Sequence, residues 1–172
     1  RPPRSTLFPY TTLFRSPTYG KMSLNQVIDS LIDFILKNPD DIYQLIVGTD
    51  SEGKEDPEFV TAIVLHRKGK GGRFFYQRSR TGKKYTLRTR IYEETMKSLT
   101  LAVKLRELLE KHLQKNHPHN LKDLEIHTDI GQAGGTREMI KEIVGMIKGN
   151  GFEVKIKPES FGATSVADRC LR

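Results

Sequence analysis

YQLIVGTDS, Tyr43 to Ser51, is the stretch on which the fold turns. Tyr43 to Val47 is a short apolar run of the kind that forms a buried strand. Gly48-Thr49-Asp50-Ser51 reads as the polar turn that ends it, with Asp50 at the strand's C-terminal end. A second string of the same form lies farther along, where LEIHT, Leu124 to Thr128, closes on Asp129-Ile130-Gly131. In an open α/β sheet, sites gather at the carboxyl ends of parallel strands, so if these two strands are neighbours, Asp50 and Asp129 meet at one sheet edge. Either aspartate alone reads rather as a turn or cap residue. Together they point to a shared site, because a carboxylate beside a sheet core is costly unless it is paired or binds a metal.

The rest of the chain supplies the partners that such a sheet needs. Before the first strand, Ser23-Leu24-Asn25-Gln26 has the form of a capping box. Leu24, Val27, Ile28, Leu31 and Ile35 then follow at helical spacing until Asn38-Pro39. After it, Phe59 to Leu65 and Arg73 to Ser79 read as two more strands, joined by the glycine-rich Lys68 to Gly72 and completing an antiparallel meander. A long periodic segment from about Leu87 to Lys115 is the main helix. The strand ending at Thr128 follows, then a helix capped by Thr136 and running to Lys148, then the strand Phe152 to Ile156. A last helix begins near Ser160. Three meander strands followed by alternating helix and strand predict an α/β fold, a mixed sheet flanked by helices.

The long helix contributes a third acid, and its periodicity says which. Steps of three and four from Glu93 pass through Lys97, Thr100, Lys104 and Glu107, a polar face. The same steps from Glu94 pass through Ser98, Leu101, Leu105 and Leu108, so Glu94 lies on the face that packs against the sheet and needs a cation there. Asp168, set among small residues in the last helix, is a fourth candidate, and a surface aspartate paired with Arg169 or Arg172 fits its spacing equally well. Four carboxylates at one edge are what a two-metal phosphodiester hydrolase requires. Mg²⁺ or Mn²⁺ takes oxygen ligands, and a pair of ions about 4 Å apart stabilises the attacking and leaving oxygens together.

Charge points the same way. The net charge is +8, yet from Phe59 to Tyr92 there is no acidic residue and every charge is basic. Arg67, Lys68, Arg73, Arg78, Arg80, Lys83, Lys84 and Arg88 are the candidate nucleic-acid contacts, with Lys70 and Arg90 in the same window. A one-signed stretch suits a polyanion, whose binding is dominated by phosphate neutralisation. The same charges also keep an edge hairpin soluble. The single cysteine, Cys170, excludes a disulfide framework and suits the cytoplasm. No apolar run is long enough to span a membrane, and neither a span nor a signal peptide is expected.

Several of these strings occur together in one known group. LIVGTDS (Leu45 to Ser51), LRTRIYEET (Leu87 to Thr95), HTDIG (His127 to Gly131), TRE (Thr136 to Glu138) and KIKPESFGATSVAD (Lys155 to Asp168) resemble the bacterial YkuK family, a ribonuclease H-like group, over roughly Ser23 to Arg172. The resemblance implies a five-stranded sheet ordered 3-2-1-4-5, with an extra N-terminal helix in this chain. It also implies that Asp50 matches the first-strand acid, Glu94 the first-core-helix acid, Asp129 the fourth-strand acid and Asp168 the last-helix acid. The expected activity is metal-dependent cleavage of nucleic acid. The superfamily also contains members that bind without cutting, so a non-catalytic binding module on the same fold is the alternative. Residues 1–16, RPPRSTLFPYTTLFRS, resemble instead the in-frame translation of a sequencing adapter, and the expectation is an artefactual leader without structure ahead of one domain, residues 17–172.

Three further signals are weaker. Gly131 to Thr136 follows a strand and precedes a helix, but lacks the spacing of a nucleotide-binding loop and reads first as a loop beside Asp129. His112, His117 and His119 read as solvated histidines at the end of the long helix. His127 shares a strand face with Asp129 by the period of two, which makes it either an auxiliary site residue or a packed strand histidine.

Overall fold

The computed structural model describes residues 13–113 and 121–160, together with Val166. Its centre is a hairpin. β3 (Tyr43–Glu52) and β4 (Glu58–Arg67) pair antiparallel over their whole length, from Tyr43 opposite Arg67 to Glu52 opposite Glu58. β5 (Gly72–Ser79) continues the meander on β4. On the other side of β3, β6 (Glu125–His127) and β7 (Glu153–Lys155) lie parallel to it in turn. These five strands stand in the order β5-β4-β3-β6-β7, which is the expected 3-2-1-4-5.

Two short strands extend the sheet beyond that expectation. β1 (Phe14–Ser16) pairs with β2 (Gly20–Met22) and, through Arg15 opposite Tyr76, with β5. The expectation of a structureless leader through Ser16 is therefore corrected at its end. Phe14 is 2% exposed and belongs to the core. The reason is general: β5 would otherwise present an open row of backbone donors and acceptors, which a neighbouring extended segment satisfies. Residues 1–12 lie outside the described residues.

One face of the sheet carries the main core. Leu45 and Val47 of β3, Ile63 and Leu65 of β4, Phe75 of β5 and Ile126 of β6 meet apolar residues of three helices there. α1 (Leu24–Lys37) begins on the expected capping box, with Ser23 and Gln26 each bonding the other's backbone. α2 (Leu87–Leu113) lays Ile91, Glu94, Ser98, Leu101, Leu105 and Leu109 along its buried side. α3 (Ile140–Gly149) packs beside β7 through Ile143 and Ile147. It starts later than expected: a short 3₁₀ turn, Arg137–Met139, precedes it and Thr136 makes no helix-cap bond. The Thr136 hydroxyl instead accepts the Gly131 N–H at 3.2 Å, closing the loop after β6 on itself. The opposite face carries Val60 and Ala62, against which Tyr76 and Val166 pack.

Two features set the ends of the meander strands. The β4–β5 turn reverses tightly because Gly69 and Gly71 adopt positive φ, and Gly72 leaves room for the Leu65 carbonyl oxygen, which an added Cβ would strike. β3 also runs farther than its sequence suggests. Thr49, Asp50 and Ser51 are strand residues, held by the ladder to Thr61, Val60 and Phe59 rather than released into a turn. Asp50 and Ser51 therefore stand at the end of a paired strand, where the Ser51 hydroxyl reaches Glu94 and the Asp50 charge acts on the same carboxyl.

The α2 stripe is the chief contact that holds the helical layer to the sheet. Leu105 is fully buried within it. Leu105→Ala is expected to lower unfolding stability by about 2–5 kcal/mol with the fold retained, measured by urea denaturation.

Candidate functional site

Glu94 is the unusual residue of the structure. It lies in the second turn of α2, on the apolar side predicted from its spacing, and is 9% exposed. Burial pushes its carboxyl up to about 8; the Ser51 hydroxyl, which donates to Oε1, opposes that shift, and the negative charges of Asp50 and Asp129 add to it. Three acids from three separate elements therefore sense one another at the carboxyl ends of β3 and β6. Without a cation, Glu94 holds a proton through neutral pH.

The other two acids are less buried and differently engaged. Asp50, in β3, accepts the Ser51 N–H at Oδ1 (2.9 Å). Asp129, just beyond β6, forms an ion pair with Lys157, Nζ to Oδ1 2.9 Å. Asp168 lies outside the described residues. Among the described residues no three acidic, histidine or cysteine side chains converge tightly enough to form a ready metal centre. The donor set nevertheless fits a hard divalent cation in kind, since it is all oxygen and includes one carboxyl that burial leaves poorly satisfied. A small pocket lies between α2 and the strand ends, with about 10 Å³ of free space for a water-sized group. Glu94, Thr128 and Asp129 are among its lining residues. The Thr128 hydroxyl is buried there without a hydrogen-bond partner.

Beneath Glu94 runs a chain of hydroxyls absent from the sequence reading. Thr49 Oγ1 lies 3.0 Å from Thr61 Oγ1 and 2.8 Å from Ser98 Oγ, joining β4, β3 and α2 in the core. Ser98 had a signal, since it lies one helical turn beyond Glu94 on the same side. Thr49, Thr61 and Ser51 had none, because their role depends on strand pairing. Lys157 was likewise invisible, being far in sequence from Asp129, the acid it meets.

His127 is buried in its strand and lines the same pocket as Glu94 and Asp129. It is 5% exposed, neither ring nitrogen has a hydrogen-bond partner, and Nε2 stands 3.9 Å from Glu125 Oε1. Burial, with the charge of Lys155, brings its pKa down to about 4, so the ring is neutral. His112 sits on the surface of α2, with Nδ1 2.8 Å from the Leu108 carbonyl. His117 and His119 lie outside the described residues.

The basic stretch divides into two groups at opposite ends of the sheet. Arg67, Lys68 and Arg73 surround the β4–β5 turn, level with Tyr43. Tyr43 is seven residues from Asp50, or about 23 Å along the strand. Arg67 is committed to Asp41 and Asn38 (Nη2 to Asn38 Oδ1, 3.0 Å), and Arg73 stacks over Phe34, 4.5 Å from the ring centroid. Arg78 instead lies in register with Val60 and hence with Asp50. Arg80, Lys83, Lys84 and Arg88 follow it around the edge where the acids stand. Several of these make surface contacts with the β3–β4 loop, β4 or α3: Arg78 with Glu58 (3.1 Å), Lys84 with Glu55 (3.4 Å) and Arg88 with Glu142 (3.2 Å), while Arg80 donates to the Asp56 carbonyl (2.9 Å). Exposed pairs of this kind are weak and exchange readily for a phosphate. Phe75 is core, whereas Phe74 and Tyr76 stack at 6.4 Å on the face shared with Arg78.

The proton on Glu94 makes stability depend on pH. The unfolded chain releases it near 4.5, whereas the folded chain keeps it to about 8. Folding thus retains a proton between those values, and stability declines as pH rises through that window. Glu94→Gln should flatten this slope in metal-free buffer, as followed by thermal unfolding at pH 5 and pH 8.

Comparison with known proteins agrees with the topology. A family model described as Ribonuclease H-like matches residues 26–172. The uncharacterized protein YkuK of Bacillus subtilis (strain 168) is 33% identical, in an alignment covering 91% of this chain and 95% of that protein. No solved structure matches the chain significantly.

Proposed function

The chain belongs to the ribonuclease H-like family, whose fold points to a nucleic-acid-related role, and on that premise we propose that it is a divalent-metal-dependent nuclease. The observation that carries this reading is Glu94: a carboxyl buried on the sheet-facing side of α2, with two aspartates from β3 and the end of β6 close enough to raise its proton affinity. A structural role alone gives no reason to collect three acids at one strand edge, because each raises the cost of ionising the others.

In this reading Asp50, Glu94 and Asp129 hold Mg²⁺ or Mn²⁺ through carboxylate oxygens, with Asp168 as the fourth ligand. Bound there, a divalent cation supplies Lewis acidity toward the phosphate oxygens of the scissile link. Ser51 orients the Glu94 carboxyl through its hydroxyl. The hydroxyl chain of Thr49, Thr61 and Ser98 fixes β3 against α2, and so fixes the spacing between Asp50 and Glu94. Arg78, Arg80, Lys83, Lys84 and Arg88 present positive charge along the same edge, where a phosphodiester backbone would approach the acids. Arg67, Lys68 and Arg73 lie too far along the sheet to act on the same phosphates.

The test is cleavage of end-labelled RNA, DNA and RNA–DNA hybrid in Mg²⁺ and in Mn²⁺. Asp50→Asn and Asp129→Asn are each expected to reduce the rate at least about a hundredfold, in line with loss of a charge-stabilising group. Absence of cleavage with every substrate and ion would overturn the proposal.

The position of the second basic group also favours an alternative, a binding module that does not cut. Nucleic-acid binding that persists in chelator and survives Asp50→Asn would select it. Both readings share one expectation. Reversing the charge at Arg80 and Lys83 should weaken oligonucleotide binding and reduce its salt dependence, whereas Lys68→Glu should change little; fluorescence anisotropy across a salt series reads both.

A further inference from the structure

Lys157 sits where the extension of β7 meets the turn after β6. The Thr128 N–H donates to the Lys155 carbonyl at 3.0 Å and the Lys157 N–H to the Ile130 carbonyl at 2.8 Å. The parallel ladder thus continues past the last strand residues and sets Lys157 level with Asp129 and Ile130. Its stem crosses Gly131, where an added Cβ would stand 2.9 Å from the Lys157 Cβ, so the glycine leaves the room that the lysine occupies. From there the ammonium reaches Asp129 at 2.9 Å. The position is set by backbone bonds on both sides and by a missing side chain beneath, so the contact is more than a chance meeting of two surface groups.

An ammonium on a carboxylate oxygen competes directly with any divalent cation for that oxygen. Resting on the metal-dependent reading above, we propose that Lys157 is a positioning residue, a tethered cation that holds Asp129 and that the divalent ion must displace to load the site. The lysine is about half exposed, so the pair is weak enough to exchange and strong enough to raise the ion concentration needed. While the ion is absent, the ammonium also keeps the repulsion between Asp129 and its neighbouring acids in check. The compact charge on a flexible stem suits this role, because it can leave the carboxylate without moving the backbone.

Mn²⁺ binding, followed by the loss of the free-ion electron paramagnetic resonance signal, tests the idea on the full chain. Lys157→Met and Lys157→Gln should bind Mn²⁺ about three- to fivefold more tightly than the unsubstituted protein, the gain expected from removing an exposed competing pair. Lys157→Arg should stay close to the unsubstituted value, and Asp129→Asn should bind less. Circular dichroism confirms that each variant is folded, and the two neutral replacements guard against a defect peculiar to one of them. Unchanged or weaker Mn²⁺ binding in both neutral variants, with Asp129→Asn impaired, would overturn the role of Lys157 and leave the carboxylate site standing. No Mn²⁺ binding by the unsubstituted protein or by either neutral variant would overturn both.

Discussion

A carboxyl group inside an apolar helix–sheet interface is tolerated only if something offsets its lost hydration, and here the offset is a proton and one hydroxyl. Glu94 is therefore the point at which fold and site constrain each other. Replacing the buried carboxyl by leucine would complete the α2 stripe without that cost. Keeping it requires β3 to continue as far as Ser51, and requires α2 to lie at a height where Ser51 can reach it. The hydroxyl chain through Thr49, Thr61 and Ser98 meets that requirement in the core, joining β4, β3 and α2 by hydrogen bonds where apolar contacts would leave the register looser.

The same edge shows how the charges are divided. Asp50 and Ser51 are consecutive at the end of β3, and both act on Glu94, Ser51 through its hydroxyl and Asp50 through its charge. Asp129 arrives from a different strand at the same level because β6 lies parallel beside β3. An antiparallel β6 would have carried it to the far end of the sheet. The mixed character of the sheet is thus what sets Asp129 level with Asp50.

Positive charge is divided by the same geometry. The meander carries one uninterrupted basic sequence from the β4–β5 turn at one end of the sheet to the start of α2 at the other. In the first part Arg67 and Lys70 pair with Asp41 and so act as structural partners. Hydrogen bonds to both groups hold the Asp41 carboxyl below its usual range. The second part meets acids from the β3–β4 loop, β4 and α3 only at the surface, which preserves its availability to an anionic ligand.

The amino-acid sequence by itself determined the elements whose signals are local. The capping box at Ser23, the apolar runs of β3 and β4, the glycine turn before β5 and the inward side of α2 all follow from spacing and residue type, and with them the inward placement of Glu94. Family likeness supplied the order of the five main strands. Only tertiary structure decided the rest, because the deciding forces act between distant segments. Pairing with β4 extended β3 through Asp50, and an open edge on β5 recruited Phe14 to Ser16. The fold separated Arg67 from Arg80, although both belong to one basic run, and it brought Lys157 to Asp129 and Ser51 to Glu94. Those contacts depend on which strands are neighbours and in what register, quantities that residue spacing along one chain does not carry.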